Sequence, residues 1–151
     1  MNKKIFGLTV LVFLLIAGGC RVTLIPPYDE QLSQQIESTA KEVDLFYLDM
    51  QETTVNENGG RAYSNFAGQY AGIEAELNSL LYKNRIRPLN ENSTRICEIT
   101  LELWKKYKDE HKEDNELSNG IIELNRKTFN DLFYAMQVAE KAKDIEKNPP
   151  Q

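Results

Sequence analysis

Hydrophobic residues recur along most of the chain at steps of three and four, the spacing that lines one face of an α-helix. The first such segment begins at about Asp29, a residue suited to an N-cap, and runs to about Asn56. Its apolar positions share one face and are Leu32, Ile36, Ala40, Val43, Phe46 or Tyr47, and Met50. The pattern therefore predicts an amphipathic first helix.

A second helix is predicted over residues 61–85, between the glycine pair Gly59-Gly60 and the helix-ending Arg87-Pro88. Gly68 and Gly72 lie four residues apart within it, and we expect them to allow a neighbouring helix to approach closely. Its apolar stripe is Tyr63, Phe66, Tyr70, Ile73, Leu77, Leu80 and Leu81.

The third helix is predicted to begin with Asn92, Ser93 or Thr94 as its cap and to end near His111. We expect its main apolar face to consist of Ile96, Ile99, Thr100, Leu103 and Tyr107, and its flank to consist of Cys97, Leu101 and Trp104. This wide apolar surface predicts contacts with two neighbouring helices.

The fourth helix is predicted to run from a cap at Ser118 or Asn119 to about Lys147, and Pro149-Pro150 stops it. The predicted inner stripe is Leu117, Ile121, Leu124, Thr128, Leu132, Ala135, Ala139 and Ala142. The predicted flanking positions are Ile122, Phe129, Phe133 and Met136.

Four amphipathic helices with short connections predict an all-α fold, an antiparallel four-helix bundle with up-down-up-down topology. No segment alternates for long as a strand does, and no long Gly/Ser-rich linker divides the chain. The expected domain covers residues 28–147 and is followed by a short tail, 148–151. An even number of helices returns the chain to the end at which the first helix begins.

The first twenty residues have the order of a secretory signal peptide: a positive Lys3-Lys4, an apolar run over 5–16, and small residues before Cys20. The apolar run is shorter than the roughly 20 residues that cross a bilayer. Ala17-Gly18-Gly19-Cys20 resembles the lipobox of bacterial lipoproteins. An ordinary leader with an incidental cysteine and a retained single-span anchor are the alternatives.

The resemblance implies removal of residues 1–19 between Gly19 and Cys20, a lipid on the Cys20 sulfur and acylation of the new amino terminus. Residues 20–27 would then be a short tether, with an extended Pro26-Pro27. Asp after the cysteine marks inner-membrane retention in enteric-type lipoproteins, and Arg21 stands there instead. The resemblance therefore implies the periplasmic side of the outer membrane if the host is Gram-negative.

The chain carries 18 basic and 23 acidic side chains. Without the two leader lysines its net charge is about −7, which argues against nucleic-acid or anionic-lipid binding through a basic face. Cys97 is left alone once Cys20 is lipidated, so it is either buried or available for pairing between chains. Its position beside Leu101 and Trp104 favours the buried state.

The sequence contains no recognisable catalytic or metal-binding pattern. His111 is the only histidine, and its charged surroundings predict a solvated side chain. The acidic run over 109–116 lacks the spacing and glycine of an EF-hand loop. Glu-x-x-His pairs, a Walker glycine loop and a serine elbow are also missing from the sequence. We therefore expect a protein without cofactor, metal or catalytic activity.

Two functional hypotheses remain. The first is a protein-interaction module of the cell envelope, such as an inhibitor, an immunity or exclusion protein, or an accessory subunit. Several apolar residues point away from the predicted helix stripes, and they either form a partner-binding patch or pack at the bundle edges: Leu45, Leu48, Val55, Tyr134 and Val138. The alternative is a protein that binds a lipid or small ligand in a cavity lined by Tyr63, Phe66, Tyr70 and Trp104, residues that an ordinary core stripe also explains.

Overall fold

A computed structural model describes residues 25–53 and 59–147, with side chains as far as residue 144. These described residues form four successive α-helices: α1 Glu30–Glu52, α2 Tyr63–Arg85, α3 Glu91–Asp114 and α4 Asn119–Lys147. Within these ranges there is no strand. The leader, including Gly19 and Cys20, lies outside the described residues, and so does Val55.

The predicted antiparallel four-helix bundle is confirmed. Helices α1 and α3 each pack between α2 and α4. The Gln35 amide donates to the Ser79 hydroxyl at 3.1 Å near the start of α1, and Phe46 packs on Phe66 farther along it. We call the end where α1 begins and α4 ends the basal end, and the opposite end the distal end. The α2–α3 turn is therefore basal.

The predicted core faces of α1 and α2 are confirmed. The Asp29 side chain caps α1 by accepting a hydrogen bond from the Leu32 N–H at 3.0 Å, and both Phe46 and Tyr47 are buried. The prediction for Gly68 and Gly72 is wrong. Both glycines are exposed, and a Cβ atom at either position would meet nothing within 4 Å.

The predicted faces of α3 and α4 are rotated relative to the structure. In α4, Ile121 and Leu124 are exposed, and the residues predicted to flank them form the core: Ile122, Phe129, Phe133 and Met136. In α3, Cys97, Leu101 and Trp104 are buried, whereas the predicted main face is largely at the edge. The buried stripe of α4 also contains Asn125, Glu140 and Lys143, and these polar residues obscure its period.

An aromatic cluster at the centre joins all four helices. The Trp104 ring of α3 lies 5.3 Å from Phe46 of α1, 5.1 Å from Tyr70 of α2 and 5.4 Å from Phe129 of α4, measured between ring centroids. These tilted and edge-on arrangements are the favoured geometries of aromatic pairs. The core is thus closed around Trp104.

Candidate functional site: the outer face of α4 and the basal end

Helix α4 carries large apolar side chains on its solvent side. Ile121 is 43% exposed, Leu124 57%, Tyr134 72% and Val138 49%, and we call these four residues the outer face of α4. They form two neighbouring pairs, spaced three and four residues apart. Ten residues separate Leu124 from Tyr134, about 15 Å along the helix. Single exposed apolar residues are common on protein surfaces, but here two apolar pairs lie on one helix, with the exposed Lys127–Asp131 ion pair between them along the chain.

The predicted partner-binding residues do not all come together. Leu45 is exposed and Leu48 is half-buried on α1. Asp44, next to Leu45, binds Arg126 of α4 at 2.7 Å, whereas Ser33 binds Gln137, next to Val138, at 3.1 Å. Eleven residues separate these two levels of α1, about 16 Å. The structure therefore groups Tyr134 with Val138 and places Leu45 at a more distal level.

The four residues predicted to line a ligand cavity come together as packed core. The Tyr70 and Trp104 rings are fully buried, Phe66 is buried, and Tyr63 stacks on Tyr70 with ring centroids 5.7 Å apart. The Trp104 indole N–H donates to the Tyr70 carbonyl at 3.1 Å. A groove of about 340 Å³ lies alongside α2, and Tyr63 is the one member of the four that lines it. The rings fill the region that a ligand would have to enter.

His111 is fully buried, so the prediction of a solvated histidine is wrong. Its Nε2 lies 2.8 Å from the Arg61 carbonyl oxygen, and its Nδ1 lies 3.1 Å from the Tyr70 hydroxyl. A carbonyl oxygen can only accept, so Nε2–H donates and Nδ1 accepts from the Tyr70 hydroxyl. Burial lowers the pKa of His111, against the raising effects of the Arg61 carbonyl and the Asp114 charge. His111 is therefore a neutral core residue.

Arg61 is a second buried group that the sequence did not reveal. Its guanidinium donates to four backbone carbonyls and ties the end of α1 to the start of α4. The acceptors are Met50 at 2.9 Å, Thr53 at 3.1 Å, Gln51 at 3.1 Å and Leu117 at 3.1 Å. A cation at the last carbonyls of a helix donates to these otherwise unpaired acceptors and interacts favourably with the negative end of the helix dipole. The guanidinium of Arg61 thus stabilises the C-terminal end of α1.

A network of buried charges lies at the basal end. Glu140 accepts hydrogen bonds from Arg87 at 2.9 and 3.1 Å, from Lys143 at 2.6 Å and from the Asp29 N–H at 2.9 Å. Burial alone raises the pKa of Glu140, but these hydrogen bonds outweigh it and the pKa is lowered. Burial lowers the pKa of Lys143, although the Glu140 carboxylate opposes the shift.

Polar side chains extend this network into the α2–α3 turn. Lys143 donates to the Asn90 side-chain oxygen at 2.8 Å, and Asn90 donates to the Asn84 carbonyl at 3.0 Å. Asn84 in turn donates to the Cys97 sulfur at 3.3 Å. Cys97 is buried, in agreement with the favoured interpretation, and burial raises the pKa of its thiol to about 12.

The described part of the tether is held against the same network. The Arg87 guanidinium donates to the Pro27 carbonyl, and the Lys141 ammonium lies 3.1 Å from the Tyr28 hydroxyl. Pro26 is buried. Ile25 and Pro26 line a hollow of about 320 Å³ together with Leu89, Ala139 and Ala142. The chain therefore leaves the bundle beside the α2–α3 turn.

Three observations bear on other classes of function. Among the described side chains, no group of three or more His, Cys, Asp or Glu residues is placed to hold a metal ion. None of the four helices described above is both long and apolar enough to span a membrane. No protein-family model, curated protein sequence or solved structure matches this chain.

Proposed function

We propose that the protein is a bacterial lipoprotein, anchored through Cys20 on the periplasmic side of the outer membrane of a Gram-negative host. The leader and Ala17-Gly18-Gly19-Cys20 support this proposal. From Cys20 to Ile25, five residue steps reach at most about 18 Å. Since the tether beyond Ile25 is held on the bundle, the basal end stays close to the anchor.

We further propose that the protein is a non-catalytic interaction module that binds another envelope protein. The observation that carries this proposal is the outer face of α4, where large apolar side chains remain exposed opposite the buried Phe129 and Phe133. Tyrosine is among the residue types that contribute most to binding energy when a partner buries them, and Tyr134 is the most exposed residue of this face. An inhibitor, an immunity or exclusion protein and an accessory subunit all act in this way.

The placement of the reactive side chains supports a non-catalytic role. Both ring nitrogens of His111 are engaged in core hydrogen bonds. The Cys97 thiol is buried, with a pKa raised to about 12, and so stays protonated at neutral pH. A general base and a nucleophile need access to a substrate, and here both groups serve packing.

Site-specific crosslinking in living cells tests the interaction proposal. A photo-reactive residue at position 134 or 138 is expected to form one discrete adduct with an envelope protein. Matched positions are Asn78, exposed on α2, and Phe133, buried next to position 134. Position 48 shows whether the partner also reaches α1. Equal adduct patterns from positions 134, 78 and 133 would contradict the proposal.

A charged substitution on the same face gives an independent test. Tyr134→Asp adds an unpaired charge to the proposed interface and is expected to abolish the adduct formed from position 138. Because Tyr134 is exposed, the variant keeps its helical content and its stability. Glu102→Lys, on the exposed side of α3, is the control and leaves the adduct unchanged. An adduct that persists in Tyr134→Asp would count against this face.

The alternative function, ligand binding between Tyr63, Phe66, Tyr70 and Trp104, is not favoured by these contacts. A ligand would have to separate rings whose centroids are 5.1 to 5.7 Å apart. Native mass spectrometry of protein extracted from membranes distinguishes the two functions. A mass increment that disappears in Trp104→Ala would support ligand binding, whereas the interaction module predicts the mass of the lipidated chain alone.

A further inference from the structure

The α2–α3 turn exposes apolar side chains at the basal end. Ile86 is 63% exposed and Leu89 is 52% exposed. We call residues 86–90 the basal turn. Leu89 has φ +57°, a left-handed conformation that glycine or asparagine adopts far more readily than leucine. Backbone strain at a turn residue with an exposed apolar side chain points to a function for that residue.

Hydrogen bonds from Arg87 and Asn90 fix the basal turn to the rest of the bundle. Arg87 forms a two-point ion pair with Glu140 and donates to the Pro27 carbonyl. Asn90 is buried and bonded to Asn84 and Lys143. Since these anchors are fixed in the basal network, the exposure of Ile86 and Leu89 is a property of the folded bundle.

The chain leaves the bundle next to these residues. Ile25 and Pro26 line one hollow with Leu89. Because at most about 18 Å separates Ile25 from Cys20, a lipid on Cys20 would keep the basal turn within reach of a bilayer surface. The apolar turn and the proposed anchor therefore lie at the same end of the bundle.

The charge around the basal turn differs from that of the whole chain. Residues 82–90 contain Lys83, Arg85 and Arg87 and no acidic residue, although the chain carries a net charge of −5. Arg87 is neutralised by Glu140, and Glu98 is shared between Arg85 at 2.8 Å and Arg95 at 3.3 Å. Glu91 follows the turn and lines the hollow beside Leu89, so the positive charge is confined to the Ile86 side, where Lys83 and Arg85 suit anionic phospholipid headgroups.

We propose that the basal turn is a second membrane contact, in which Ile86 and Leu89 enter the headgroup and acyl-chain boundary of the bilayer that holds the Cys20 lipid. This inference rests on the proposed lipid anchor. Apolar burial combined with nearby cations is the usual basis of interfacial membrane binding. Two contacts at one end orient the bundle upright on the membrane and leave the outer face of α4 open to the side.

Depth-dependent quenching tests the second contact. The lipidated protein is labelled with an environment-sensitive dye at Leu89→Cys and reconstituted into phosphatidylethanolamine–phosphatidylglycerol vesicles containing a nitroxide-labelled phospholipid. The dye at position 89 is expected to shift to the blue and to be quenched. The same dye at Leu124→Cys, on the outer face of α4, is expected to show neither effect.

A second variant checks that the turn itself enters the bilayer. Adding Ile86→Asp to the labelled Leu89→Cys protein is expected to lower quenching at position 89 to the level of position 124, because a carboxylate opposes entry of the turn. Gln69→Asp, on the exposed side of α2, is expected to leave the quenching unchanged in the same background. Both substituted residues are exposed, and circular dichroism verifies that each variant is folded.

The outcomes separate this inference from the anchor proposal. If the wild-type lipidated chain does not float with the vesicles, the anchor proposal fails. If it floats but position 89 is quenched no more than position 124, only the second contact is overturned. A blue-shifted dye at position 89 without vesicles would show that the chain itself covers the turn, and this too overturns the inference.

Discussion

Buried polar residues show how strongly a single side chain can depend on its tertiary surroundings. His111 lies in a run of charged residues, yet its ring is held between Tyr70 and Arg61. It follows Cys97, Thr100 and Trp104 at helical spacing, and this register is the sequence signal for its burial. The burial of Arg61 has no such signal in the sequence, since its partners are backbone carbonyls at the end of α1 and just before α4.

The lowered pKa of His111 predicts a pH-dependent stability. The unfolded chain binds a proton at about pH 6.5, whereas the folded chain resists protonation to a lower pH. The free energy of unfolding is therefore greatest above pH 6.5 and falls as the pH drops from 6.5 toward the folded-state pKa. Urea denaturation of the Cys20→Ala mature chain between pH 5 and 8 measures this slope.

His111→Gln is the matched variant for this slope. The glutamine amide can still donate to the Arg61 carbonyl, but it does not titrate, so the slope between pH 5 and 6.5 is expected to disappear. Glu140 also has a lowered pKa, and its stabilisation is lost as the pH falls below 4.5, outside this window. An equal slope in both proteins would contradict the assignment of the pH dependence to His111.

At the scale of the helix, polar residues within the buried stripe conceal from the sequence which face is buried. In α4, Ile122, Phe129, Phe133 and Met136 share a stripe with the buried Asn125, Glu140 and Lys143. The most hydrophobic face of α4 in the sequence is therefore the neighbouring stripe that contains Ile121 and Leu124, and this stripe was predicted to be buried. In α2 the apolar stripe has no such interruption as far as Leu81, and its prediction holds. The cap of α4 was predicted correctly, since the Ser118 hydroxyl accepts a hydrogen bond from the Ile121 N–H at 3.3 Å. The end of α3 was not, since Asn115 ends this helix in a left-handed conformation.

Exposed helical glycines give a prediction at this scale. Gly68→Ala and Gly72→Ala are each expected to raise the free energy of unfolding by up to about 1 kcal/mol, because alanine favours the helix and the space at both sites is open. Gly59→Ala is the contrasting variant and is expected to be destabilising, since Gly59 has φ +65°. Denaturation midpoints of the three variants measure the effects. A loss of stability in Gly68→Ala would indicate a close helix contact there after all.

For the whole molecule, the basal network joins parts of the chain that are far apart in sequence. Glu140 of α4 receives hydrogen bonds from Asp29 before α1 and from Arg87 between α2 and α3. One buried carboxylate therefore holds the tether, the basal turn and the last turns of α4 together. Both proposed contacts of the protein with a membrane, the lipid anchor and the basal turn, extend from this network.

Removing the carboxylate is expected to loosen the whole basal end. Glu140→Gln leaves Arg87 and Lys143 without their shared counter-ion, and breaking a buried pair in this way costs about 3–5 kcal/mol of stability. Asp131→Asn is the control, because it removes an exposed pair with Lys127 and changes stability by no more than about 0.5 kcal/mol. Limited proteolysis near residues 25–29 is expected to be faster in Glu140→Gln than in Asp131→Asn. Equal unfolding stability of the two variants would disprove a central role for Glu140.

The sequence by itself determined that the described residues form four helices, their approximate bounds, their antiparallel order and the core faces of α1 and α2. It did so because the helical period is local and an uninterrupted apolar stripe can bury only one side. It also supplied the lipoprotein prediction, which depends on a short contiguous motif.

Only the tertiary structure decided the burial of His111, Arg61, Glu140 and Lys143. Each of these side chains is satisfied by partners from other elements, and a polar residue whose partner is distant in sequence looks like a surface residue. The wrong prediction of the buried face of α4 has the same origin, since its buried stripe includes such residues. Apolar burial can be read along one helix, whereas polar burial is set by what the neighbouring helices place opposite it.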